Sequence, residues 1–100
     1  MKTTLAAASF YKESFAFGEH ARNLPTAVQN EIRDICVSMA DKLRCVFAIG
    51  FAENGDPVFE TTVEGPVFDE IGAELEIKRL RAEKRELIEQ LSLWFKLMCG

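Results

Sequence analysis

One hundred residues suffice for a single domain with a modest core and are too few for two. Hydrophobic residues make up 48% and charged residues 28%, the balance of a globular chain, which excludes a disordered or membrane-spanning one. The net charge of −4 argues against a general affinity for nucleic acid or for anionic membrane.

Met1-Lys2 followed by Leu5-Ala6-Ala7-Ala8 has the outline of a secretory leader, but its apolar segment is about half the usual minimum of ~7 residues. Three cysteines, at 36, 45 and 99, include no Cys-x-x-Cys pair. Both observations point to a cytoplasmic protein with reduced thiols. The domain spans 1–100, with residues 1–8 expected to fray. From Ser9 to Phe17, Tyr11, Glu13, Phe15 and Phe17 alternate with Phe10, Lys12, Ser14 and Ala16. That spacing predicts an edge strand, ended by Gly18.

Leu24-Pro25 opens a helix, because a residue before proline avoids the α region and proline suits the first helical position. Val28, Ile32, Ile35, Cys36, Met39, Ala40 and Leu43 then recur at helical spacing, which predicts a helix over 25–44. Gln29, Glu31, Arg33, Asp34, Asp41 and Lys42 keep to its other side.

Cys45 to Ala52 is continuously apolar, far short of the ~20 residues of a membrane span. Glu53-Asn54-Gly55-Asp56 follows, and Pro57 to Glu64 alternates, which together predict a β-hairpin. A two-residue Asn-Gly turn would set Phe51 opposite Val58 and put glutamates on the apolar face. A three-residue loop over 53–55, with Gly55 left-handed, shifts the register by one. Phe47, Ile49 and Phe51 then share a face with Pro57, Phe59, Thr61 and Val63. A one-residue slip flips every side chain, so the second register is preferred.

Gly65-Pro66 ends the strand and leads into a helix from Asp69 to Met98, with Asp69 and Glu70 at its positive end. Gly72 inside its first turn predicts a close approach to another element. Ile77, Leu80, Leu87, Ile88, Leu91, Trp94, Phe95 and Met98 form one stripe. Thirty residues make a rod of ~45 Å, longer than the hairpin strands at ~26 Å. Its last turns, with Leu91, Leu93, Trp94, Phe95, Leu97 and Met98, are apolar nearly all round. Such a segment needs cover from more than one side. Leu87, Leu91, Trp94, Phe95 and Met98 are therefore the expected interface with a second copy or a protein partner.

Other candidates for chemistry are sparse. His20 is the only histidine and reads as an exposed loop residue, because zinc needs three or four ligands and the cysteines are unpaired. Cys36 lies on an apolar stripe and reads as buried; Cys45 follows Arg44, but no general base accompanies it. Asp69, Glu70, Glu74 and Glu76 suit a helix dipole better than a carboxylate dyad. Lys78, Arg79, Arg81, Lys84 and Arg85 read as a solvated face, with pairs expected between Glu74 and Lys78 and between Arg85 and Glu89. No phosphate-cradling loop, nucleophile elbow or dinucleotide fingerprint occurs, so no enzyme activity and no metal or cofactor is expected.

The run Phe68-Asp69-Glu70-Ile71-Gly72, then Ile77-Lys78-x-Leu80-Arg81-x-x-Lys84-Arg85-Glu86-Leu87, resembles small proteins of clostridial bacteria that form a family of unknown function. Ser9-x-Tyr11, Leu24-Pro25, Ile35-Cys36-Val37 and Glu53-Asn54-Gly55 fit the same pattern, while Leu5 to Ala8 departs from it. The resemblance implies a stand-alone bacterial cytoplasmic protein. The helix–hairpin–helix order is also similar to roadblock and longin-like dimerisation scaffolds, which have more strands.

The expected fold is therefore α+β, in the order β-α-β-β-α, with a hairpin and an N-terminal edge strand on two helices. The expected function is a homodimeric interaction or scaffold module without catalysis. Alternatives are a small-ligand or sensory domain with a pocket rimmed by Phe47, Phe59 and Trp94, and, behind it, a nucleic-acid-associated regulator using residues 78–85.

Overall fold

The computed structural model describes residues 3–63, 65 and 68–98. The fold is α+β: strands β1 (Thr3–Ser9), β2 (Ser14–Phe17), β3 (Val46–Phe51) and β4 (Pro57–Thr62), with helices α1 (Thr26–Leu43), α2 (Glu70–Glu83) and α3 (Arg85–Met98). A 3-10 turn, Glu19–Asn23, joins β2 to α1. The strands form one antiparallel sheet in the order β2-β1-β3-β4.

The register of β3 and β4 is the one that the apolar pattern requires. Phe51 pairs with Pro57, Ile49 with Phe59 and Phe47 with Thr61, while Gly55 is left-handed at φ +90°. Asn54 holds the loop with its amide: Asp56 N–H donates to Asn54 Oδ1 at 3.0 Å. Phe47, Ile49 and Phe51 are buried as a result. Helix α1 also buries its expected stripe, Ile32, Ile35, Cys36, Met39, Ala40 and Leu43, against β1 and β3. Pro25 stands one residue earlier than expected, as the N-cap. Gln29 is drawn inward, its Nε2 donating to the carbonyls of Ala21 and Leu24, both at 2.9 Å.

The N-terminal residues do not fray. Thr3–Ser9 is an inner strand, between β2 and β3, and the edge strand expected over Ser9–Phe17 is a turn followed by the shorter β2. A bulge between Thr4 and Ala6 explains why alternation fails to mark β1: it turns the neighbours Leu5 and Ala6 inward together. Ala6 and Ala8 lie opposite Ile49 and Phe47, and their small side chains let α1 approach the sheet. Gly18 closes this corner. Its N–H donates to Leu5 O at 2.7 Å, and a Cβ added there would stand 2.0 Å from Thr4 O, a backbone atom that cannot swing away. Gly18→Ala should therefore displace β1 and lower the unfolding free energy by about 3 kcal/mol, read from the denaturant midpoint.

The single C-terminal rod is also corrected. It breaks at Lys84 (φ −109°, ψ 28°) into α2 and α3, bracketed by hydrogen bonds from Lys84 N–H to Leu80 O and from Ile88 N–H to Lys84 O. Neither glycine nor proline marks the place. Positions 77, 80, 84, 87 and 91 form one line on the helix, and Lys84 is the lone charge in it. Gly72 also differs: a Cβ there would meet its own N-cap side chain, Asp69 Oδ2, at 2.5 Å, rather than a neighbouring element.

Candidate functional site

The bend at Lys84 removes the overhang from which an interface was expected. Beyond it, α3 lies on the β3–β4 turn. Phe95 stacks on Phe51 with ring centroids 4.1 Å apart, Trp94 lies 6.3 Å from the same ring, and Lys96 Nζ pairs with Asp56 at 3.8 Å. Gly55 lies beneath Phe95 and Lys96. Of the five expected interface residues, Leu87 and Leu91 are buried in the chain's own core and Trp94 and Phe95 are partly buried against it. Only Met98 stays outside.

Two residues outside that set are the more exposed ones. Leu93 and Leu97, one helical turn apart, are 61% and 75% exposed, and Met98 is 60% exposed. The sequence carries the signal. The inner line of α2 continues through Leu87 and Leu91, so in a segment apolar nearly all round, Leu93 and Leu97 fall on the outer side. On α2, Ile71 and Leu75 form a second exposed pair with the same spacing.

The remaining candidates are accounted for by packing and pairing. His20 is half-buried in the 3-10 turn, edge-on to Phe95 at 6.3 Å, and is not the exposed loop residue expected. Cys36 and Cys45 are buried and outside any disulfide, and burial pushes the Cys36 thiol from 9.0 up to about 12, against a smaller opposing effect of a backbone hydrogen bond at Ile49. A thiol so raised stays protonated at neutral pH and is no nucleophile. Cys99 lies outside the described residues. Asp69, Glu70 and Glu74 are exposed. Glu76 instead takes Lys42 of α1 at 3.1 Å and Arg79 at 3.6 Å, so the pairs expected at Glu74–Lys78 and Arg85–Glu89 give way to one that ties two helices together. Arg81 stays exposed, with its guanidinium 5.0 Å above the Phe59 ring. Among the described residues no three His, Cys, Asp or Glu side chains gather to hold a metal ion.

Phe47, Phe59 and Trp94 do not rim a pocket, because aromatic side chains fill the space. Phe47 is fully buried with Phe59 5.9 Å away, and Trp94 sits on Phe51. Open cavities occur elsewhere. One, of about 280 Å³, lies between the β1–β2 turn and α1; another, of about 340 Å³, lies between α1 and α2 with Lys42, Glu76 and Lys84 in its wall. No described helix is long and apolar enough to cross a membrane.

No curated protein and no solved structure matches the chain. A family model does, over residues 2–100, a span that takes in the bulged β1 strand, the hairpin and both C-terminal helices. The chain belongs to the DUF6145 family, a family of unknown function.

Proposed function

We propose that this protein is a homodimeric interaction module without catalytic activity, joined to its second copy through the outer side of α3. The observation that carries this reading is the pair Leu93 and Leu97, with Met98 beside them, left in solvent on a helix whose inner side is firmly held. Between Ser92 and Met98 the only charge is Lys96, and it turns to Asp56. A twofold contact would therefore meet apolar surface with apolar surface, with no like charges forced together. The buried thiols of Cys36 and Cys45, outside any disulfide, favour a reducing, cytoplasmic setting.

Light scattering across micromolar concentrations tests this directly. The wild type should run at twice the chain mass of 11.3 kDa, and the doubly substituted Leu93→Glu, Leu97→Glu chain should run as a folded 11.3 kDa monomer. Wild type at 11.3 kDa throughout that range overturns the reading.

A further inference from the structure

Helix α2 turns apolar side chains to both of its sides. Ala73 and Leu80 are buried in the core, while Ile71 and Leu75 stand in solvent. These two open a row that recurs at three- and four-residue spacing along α2 and α3 and closes with Leu93 and Leu97. Lys78, Ala82, Glu86 and Glu89 lie between the two apolar pairs. All four are exposed, so the row continues past the bend at Lys84. Neither Lys78 nor Glu89 is in an ion pair with a described residue.

The row reads alike from either end, except that its charge changes sign. Ile71 and Leu97 lie equally far from Lys84, and so do Leu75 and Leu93. Ala82 matches Glu86, and Lys78 matches Glu89 to within one residue. A second copy laid antiparallel, with a twofold axis at the level of Lys84, therefore sets Leu75 on Leu93, Ile71 on Leu97 and Lys78 beside Glu89, each twice. A parallel copy would set Lys78 on Lys78 and Glu89 on Glu89, which repel. A copy centred on α3 would cover Leu93 and Leu97 and leave Ile71 and Leu75 in water. Stable interfaces take roughly 20–30 residues a side, more than the end of α3 offers alone. Ala82, small and close to the axis, lets two helices approach to the roughly 8–10 Å of a packed pair.

We propose, resting on the homodimer reading, that α2 and α3 together meet the second copy in antiparallel orientation. The Lys78 ammonium of each chain then pairs with the Glu89 carboxylate of the other, between two apolar clusters made of Ile71 and Leu75 from one copy and Leu93 and Leu97 from the other.

Sedimentation equilibrium of the full chain at low salt, with circular dichroism to follow the fold, tests the orientation. Ile71→Glu with Leu75→Glu should abolish the dimer as completely as Leu93→Glu with Leu97→Glu. Lys78→Glu alone and Glu89→Lys alone should each weaken dimerisation roughly tenfold, since each change spoils two pairs. The chain carrying both swaps should regain the wild-type affinity. Roughly 16 Å of helix separates the two positions in one chain, so only pairing between copies explains that recovery. A dimer that survives the α2 substitutions but not those on α3 overturns this orientation and leaves the homodimer standing. A doubly swapped chain no tighter than either single variant also overturns it. A wild-type monomer overturns the homodimer reading and this inference with it.

Discussion

Phe51→Ala should cost about 4 kcal/mol of unfolding free energy, enough to consume much of a small domain's stability. Phe51 is fully buried at the end of β3, where the sheet, the β3–β4 turn and α3 meet. Its ring stacks on Phe95 and faces Trp94, so truncation opens a cavity that three elements would have to close together. Tryptophan fluorescence should shift to the red as Trp94 loses that neighbour. Phe59→Ala should cost less, about 2 kcal/mol, because Phe59 is only partly buried. Equal losses at the two positions in urea unfolding would mean that α3 does not rest on Phe51.

Leu91→Glu should unfold the chain, with a loss of about 4 kcal/mol or more. Leu91 is 2% exposed in a core whose described buried residues include none that is polar or charged, so the substitution would bury a carboxylate among apolar side chains. Leu97→Glu, six residues on and in solvent, should leave the fold of the monomer within about 0.5 kcal/mol of wild type. The two substitutions make the same chemical change on opposite sides of one helix. Circular dichroism at 25 °C separates them. A folded Leu91→Glu chain would place the inner face of α3 elsewhere.

The hairpin register was legible because wrong pairing would have turned glutamates onto the face of Phe47, Ile49 and Phe51. A penalty of that size is written in the alternation itself. Helix α1 was legible for the same reason, its stripe being complete from Ile32 to Leu43. Strand β1 was not, because its bulge breaks the alternation and alanine has little strand preference of its own. Its burial is set by partners far along the chain. The bend at Lys84 was hidden too, since it answers to the cover that the β3–β4 turn offers α3. Spacing does not show that cover, so Leu87 and Leu91 read as interface residues, and the outward Leu93 and Leu97 do not stand out from the apolar turns around them. The cavity between the β1–β2 turn and α1 depends on a turn conformation and on the approach of α1, neither of which spacing alone encodes.

The central place of β1 has a consequence for how the molecule is made. Ser9 and Val46 lie opposite each other, yet all of α1 separates them along the chain. A ribosome delivers β1 and β2 first, as a local hairpin that closes within microseconds. One side of β1 then stays open until β3 emerges, and an open strand side is a template for pairing with another chain. The slow event in folding should therefore be the docking of two finished hairpins along the β1–β3 seam, which requires closure of a long loop. Until that seam closes, the growing chain has half a sheet.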